Sequence, residues 1–426
     1  MLTHRDMIQP MRIAWFSPLP PARSGIAAYS ADMLSRLASG HAIDGFSEAN
    51  ARDFLWMARR DPYDLVVYQL GNAPCHDYLW GYLAAFPGLT VLHDARLHQA
   101  RARALLQQER FDDYREEFRY DHPDARRDFV EYAVAGLGGP IYYTWSMLRV
   151  VVRTARLVAV HNARVAADLR EEFPGAAIED IHLGTAPLTA DAAARRRIRA
   201  ALGVPDQATL FAAFGKITAE KRIGAILRAF EAIAVERVDV HLLLAGDASD
   251  YPALGEQLAA SPHAARVHLA GYVADEAIAS HLAAADVCLC LRWPTALETS
   301  ASWLQCLAAG RATVISDLAH LVDIPAAVAI KIDLLDEDAS LRQAMLALAD
   351  DAGRREALGR AGQAYWSAHH TLDVMAADYD VLFAKAAALP TPLVADLPAH
   401  FAADHSQTAR EITARFAIPT RSLGWS

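Results

Sequence analysis

Four turns, each where an apolar run gives way to polar residues, carry the side chains that could do chemistry. In FGKITAEKRIG (214–224), Lys216 and Lys221 bracket a turn just after Gly215. Two cations converging on one spot suit a diphosphate leaving group, which gains charge as a bond to it breaks. Lysines near a helix start oppose its dipole, a mild cost that a visiting anion removes. Arg222 reads as a solvated face residue. In LRWPTALETSASWLQCLAAGRATVISD (291–317), a lone acid, Glu298, precedes Thr299 and Ser300 where a nearly uncharged helix opens. The hydroxyls suit helix capping. The acid could also take hydrogen bonds from hydroxyls of a ligand while the helix N–H groups face phosphate.

The other two turns are quieter. VLHDARLHQ (91–99) places His93 and Asp94 at a strand end, where an imidazole could donate to an oxygen or act as acid or base. A capping Asp94 beside a structural histidine fits the same residues. SPLPPARSGIAAYS (17–30) leads into a helix through Ser24 and Gly25, and the glycine lets backbone N–H groups approach an anion. Asn72 in YQLGNAPCH belongs to a further loop; His76 beside it reads as a surface histidine.

Positioning these turns requires strands and helices in alternation. RIAWFS, DLVVYQL, LTVLH and LVAVH are short apolar runs with helical or loop material between them. A second series runs through TLFAAFG, VHLLLAG, RVHLAG, DVCLCL, ATVIS and AVAIKID, and KRIGAILRAFEAIA carries a clean apolar stripe. The pattern predicts an α/β chain of two doubly wound, mostly parallel sheets joined near 182–192, with ligands beyond the carboxyl ends of the strands. From about 100 to 153 the alternation lapses into charged helical sequence, an insertion of the kind that forms lids or substrate surfaces.

The bulk properties agree. A chain of 426 residues exceeds one ordinary core, and 53% hydrophobic with 22% charged residues describes a globular protein. A net charge of −10 argues against general nucleic-acid binding. Cys75, Cys288, Cys290 and Cys306 lack metal-ligand spacing and read as small core residues in a reducing cytoplasm. MLTHRDMIQP has no apolar stretch, and the uncharged run 132–148 is too short and glycine-broken to span a bilayer. The expected location is cytoplasmic, with peripheral membrane contact left open by that run and by the basic ARRRIRA (194–200), itself more simply a solvated helix face.

Taken together, GKITAEKR, HLLLAGD, VHLAGYVADEAIASHLAAADVCL and ETSASWLQCLAAGRATVISD resemble, in order, the retaining GT-B glycosyltransferases of family 4, over Met11 to about Leu389. The resemblance implies an acceptor domain over 1–185, a donor domain over 186–370, a helix over 371–389 crossing back, and a tail over 390–426 beyond the usual end. It implies a nucleotide-sugar donor, UDP- or GDP-linked, a glycan or lipid-linked acceptor, retention of anomeric configuration, and no metal or other cofactor. His93, Lys221 and Glu298 take the catalytic positions. Ser24, Gly25, Gly215, Lys216, Thr299, Ser300 and Gln305 take the donor-binding ones, with Asn72 and Asp94 on the acceptor side. The sequence also departs from the pattern. Lys216 stands for the usual arginine, the first loop lacks a Gly-Gly pair, and Gln305 occupies the place of the second acid of the E-x7-E motif, one residue early. A sugar-nucleotide-binding or partner subunit without transferase activity is the alternative those departures motivate; another GT-B enzyme, an epimerase or a phosphorylase, is a third.

Overall fold

The structure, a computed structural model, describes residues 9–22, 24–189, 192–394, 396–402 and 415. The first series of apolar runs forms β1 (Arg12–Phe16), β2 (Ala42–Phe46), β3 (Leu65–Leu70), β4 (Leu89–Leu92), β5 (Leu157–Val160) and β6 (Ile178–Asp180). The second forms β7 (Thr209–Phe214), β8 (Val240–Ala245), β9 (Val267–Gly271), β10 (Val287–Cys290), β11 (Ala312–Ser316) and β12 (Ile330–Ile332). They build two six-stranded sheets, ordered β2-β1-β3-β4-β5-β6 and β12-β11-β10-β7-β8-β9, with every pairing parallel. Residues of β4, β5, β7 and β8 are buried throughout, because helices cover both faces; hence these strands read as continuous apolar runs without alternation.

In the first sheet the order reverses between β1 and β3, in the second between β7 and β10. Such reversals leave a crevice at the carboxyl ends of the strands. Helix α1 (Gly25–Leu37) starts beside the first crevice, with the Ser24 side chain accepting the Ala27 N–H at 3.0 Å as its cap. Five helices fill the interval between β4 and β5; they include α2 (Phe111–Asp121) and build a small core of their own from Leu105, Tyr114, Phe118, Val130 and Met147. In the second unit α3 (Ile223–Glu236) buries Ile223, Ile226, Leu227, Phe230 and Ile233 against the sheet, and α4 (Ala301–Ala308) follows β10.

The chain then returns. Helix α5 (Leu372–Ala388) buries Met375, Tyr379, Leu382 and Phe383 in one cluster with Ile13, Trp15, Tyr29 and Met33 of the first unit. Tyr379 Oη lies 2.5 Å from Tyr29 Oη and accepts from Gln69 Nε2 at 2.9 Å. The outgoing and returning strands of chain run side by side, the Thr185 N–H donating to the His370 carbonyl at 2.9 Å.

Two readings of surface charge are corrected. Arg199 in the basic run is fully buried and donates to the Ala284 and Pro205 carbonyls and to Asp286, while Arg195 pairs with the same Asp286. Half of that run therefore ties a helix to the second sheet, which removes it from any membrane-facing patch. Among the described residues, no helix is long and apolar enough to cross a membrane. The four cysteines are free thiols, with Cys290 Sγ 3.9 Å from Cys306 Sγ.

Candidate active site

The carboxyl end of β7 brings Gly215 and Lys216 to the crevice of the second unit. Gly215 holds φ +85°, and a Cβ there would come within 2.5 Å of Lys221 Nζ. Only glycine suits both the left-handed backbone and the close approach. The Lys221 ammonium turns back under the strand end and donates to the Phe214 carbonyl at 2.6 Å. Burial, and then the Arg292 guanidinium, pull its pKa down to about 8. A desolvated cation whose bonded partner is a neutral carbonyl is poised to receive an anion. Ser302, in the first turn of α4, lies against Gly215, and Ser300 caps that helix by accepting the Trp303 N–H at 3.3 Å. A helix N-terminus and an ammonium thus share one spot. Gln305 is half-buried and follows Ser302 by three residues, on the same stripe of α4.

Lys216 behaves otherwise. It is exposed and pairs with Asp250 at 2.5 Å, so the two lysines do not converge in this state. The second cation near Lys221 is Arg292, at the end of β10, a residue that the sequence reading did not single out. Arg222 is no solvated face residue: it is half-buried in the left-handed region (φ 59°) and grips the buried Glu337 with two nitrogens.

Glu298 is already engaged. Its Oε1 takes Arg292 Nε at 2.7 Å, and its Oε2 takes Thr295 Oγ1 at 2.8 Å and the Ala296 N–H at 2.9 Å. Of the four lone-pair positions of a carboxylate, three are filled, which leaves one on Oε1 for a ligand hydroxyl. Thr299 does not face phosphate here; its hydroxyl donates to the His161 carbonyl of the first unit at 2.7 Å. The Ala95 N–H donates to the Ala296 carbonyl at 2.8 Å, and Asn162 Nδ2 to the His320 carbonyl at 2.8 Å. The first two bonds seat the Glu298 loop against the ends of β4 and β5, and the third ties in the segment after β11.

On the facing edge His93 follows β4. Gln69 donates through Nε2 to Tyr379, so its Oε1 must accept, and His93 Nε2 at 2.8 Å must carry the proton. Burial and the neighbouring His161 hold His93 far below the usual imidazole range, hence neutral. The expectation of a donating imidazole is thus reversed: its proton is committed to Gln69, and Nδ1 offers a lone pair. His161, with its ring centroid 5.1 Å from that of His93, is buried with both ring nitrogens unpaired, and burial lowers it to about 4. No sequence pattern marked it beyond its place at a strand end.

Asp94 accepts the Asn72 N–H at 2.7 Å, and burial, followed by the nearby charge of Glu298, lifts it to about 7. Asn72 is a brace: its amide donates to the Arg96 carbonyl at 2.7 Å and accepts the Ala100 N–H at 3.2 Å, which leaves one N–H and one lone pair of the side chain. His76 is buried, with Nδ1 on the Gln69 carbonyl at 2.9 Å, and is no surface histidine. Gly25 opens α1 exposed, with no atom crowding the position of its missing Cβ. A hollow of about 910 Å³ lies elsewhere; Gly310 and Arg311 in its lining precede β11, at the opposite edge of the second sheet.

Comparison with known proteins places this arrangement. Residues 208–351 match the family model described as glycosyl transferases group 1. No curated protein matches the chain by sequence. Among solved structures, HepE of Anabaena in complex with UDP and glucose is 13% identical, covers 88% of this chain and 99% of its own, and has a TM-score of 0.64. Sucrose-phosphate synthase of Thermosynechococcus elongatus is 17% identical, covers 88% and 98%, and has a TM-score of 0.63. WaaG, a glycosyltransferase involved in lipopolysaccharide biosynthesis, is 14% identical, covers 87% and 99%, and has a TM-score of 0.58. The fold is therefore GT-B, with both units in place. The family match lies within the second unit, so that unit is similar to the group 1 glycosyl transferases.

Proposed function

We propose that the protein moves a sugar from a nucleotide-diphosphate sugar, UDP-linked in the first instance, to an acceptor hydroxyl with retention of configuration and without a metal. The observation that carries this is the buried Lys221 ammonium beneath the start of α4, with Arg292 beside it and Glu298 leading across to His93 and Asp94. The diphosphate would lie against Lys221 and the α4 N–H groups, where the charge that grows on the departing oxygen meets fixed positive ends. These side chains supply the stabilisation that a divalent cation gives in other transferases. The remaining lone pair of Glu298 would accept a donor-sugar hydroxyl, and Nδ1 of neutral His93 another. Asp94 would orient the acceptor hydroxyl, whose proton leaves with the diphosphate on the same face. UDP bound to the similar HepE supports a UDP donor, and glycan-building neighbours such as WaaG support a glycan or lipid-linked acceptor.

Gln305 in place of the second acid favours a second reading, a donor-binding subunit that does not transfer. A panel of UDP-, GDP- and ADP-sugars, scored for hydrolysis or transfer with excess chelator present, separates the two. Turnover with an α-configured product from an α-configured donor is expected. Saturable binding without turnover for every donor supports the second reading, and loss of turnover in chelator overturns the metal-free one.

A further inference from the structure

Residues 396–402 fold back on the helical insertion and end in a short helix, Ala399–Ala402. Leu397 and Phe401 pack against the first core, Asp396 pairs with Arg153 at 2.9 Å, and Arg101 lies over the Trp80 ring with Phe401 alongside. The segment also carries His400 into a pocket of carboxylates on α2. His400 Nε2 lies 2.7 Å from Glu117 Oε1, and Glu117 is itself buried and held by Arg101, with Nε at 2.7 Å from Oε2. A carboxylate locked in this way accepts, so the imidazole proton sits on Nε2. Nδ1 is left with a lone pair, buried and without a hydrogen-bond partner, on a side chain only 10% exposed.

That lone pair faces two more acids. Asp113 Oδ1 is 3.7 Å away; its other oxygen is taken by Arg110 Nε at 2.7 Å. Glu116 Oε1 accepts the Ala399 N–H at 3.0 Å, and one ligand atom from each of Asp113, Glu116 and His400 lies within 4.8 Å of the others. Three acceptors aimed at one point repel one another unless something positive stands between them.

We propose that Asp113, Glu116 and His400 hold a divalent zinc-like ion that staples the 396–402 segment to the insertion. One imidazole and two carboxylates form a donor set that suits zinc, with water in the fourth position. Around a tetrahedral zinc, ligand atoms stand roughly 3.3 Å apart, so the three groups close by about an ångström on loading. The Arg101–Glu117–His400 chain is the outer support such a ligand needs: the carboxylate fixes the ring and its tautomer. The site lies on the insertion and the tail, on elements other than those that carry Lys221, Arg292 and Glu298, so its role is structural.

The test uses the full chain, dialysed against chelator and titrated with zinc chloride. Calorimetry and elemental analysis are expected to show one zinc per chain bound at micromolar Kd or tighter. Zinc is expected to raise the melting temperature and to slow amide exchange in 113–117 and 399–402. His400→Ala and Asp113→Asn should each weaken binding at least tenfold and abolish that local protection, with donor turnover unchanged by His400→Ala. Asp113 and His400 lie outside the main cores, and if one variant fails to fold the other carries the comparison. Zinc bound equally well by both variants, or protection confined to other histidines, overturns the site. So does a wild-type chain that takes up no zinc.

Discussion

The two edges that face each other across the crevice solve opposite problems. The edge of the second sheet keeps full charges, Lys221, Arg292 and Glu298, with Lys221 bonded only to a carbonyl. The edge of the first sheet keeps neutral groups held in place by hydrogen bonds within the protein: His93 on Gln69, Gln69 on Tyr379, and Asn72 on Arg96 and Ala100. In the proposed reaction, charge would be held where a leaving group develops it, and shape where only hydroxyls need positioning. Arg292 and Glu298 balance each other, and the amine of Lys221 is left for the incoming anion.

The largest expected effect therefore falls on the charged edge. Lys221→Ala should lower kcat/KM for the donor on the order of 10³-fold, with melting unchanged or raised because a buried ammonium is removed. A loss under threefold would erase the contrast. Glu298→Gln keeps the shape but gives up the Arg292 pair, and about a 10²-fold loss in kcat is expected in steady-state assays.

The next test crosses the cleft by pH. Asp94, neutral below about 7, gains charge as pH rises, whereas Lys221 loses charge above about 8. A bell-shaped kcat/KM profile between those values is expected, because donor binding favours charged Lys221 and the acceptor hydroxyl favours ionised Asp94. Asp94→Asn should remove the acid limb at roughly tenfold cost and leave the basic limb in place. The linkage to stability has a definite sign in each case. The raised carboxyl costs stability as pH climbs from about 4 to 7, and the lowered amine costs it at every pH below about 8 and relaxes towards 10.5. Lys216→Ala gives the smallest effect, under threefold, since its partner is Asp250; a loss near that of Lys221→Ala would mean that Lys216 leaves Asp250 and swings inward on donor binding.

Much of the fold is legible in the sequence because parallel strands covered on both faces must be apolar runs, and both sheets show them. The strand-end turns were legible for the same reason, since reversals in such sheets expose carboxyl ends. What was not legible depends on partners far away in the chain. Arg222 looks solvated until Glu337, more than a hundred residues on, closes over it. Arg292 looks like any strand-end arginine until the Glu298 loop folds back. His76 and Asn72 look like loop polars until β3 and β4 bury them, and the tautomer of His93 is set by a tyrosine on α5.

The paired passage of the chain at Thr185 and His370 has a consequence of its own. Lys221, Arg292, Glu298 and Gln305 lie between those two points and His93 lies outside them, and both chain crossings leave through one hydrogen-bonded doorway. A swap at this doorway would exchange the second unit as a single cassette, leaving the first unit and its returning helix uncut. The twin crossing would also let the two halves pivot about one line while resisting splay, much as a door on two pins turns without sagging.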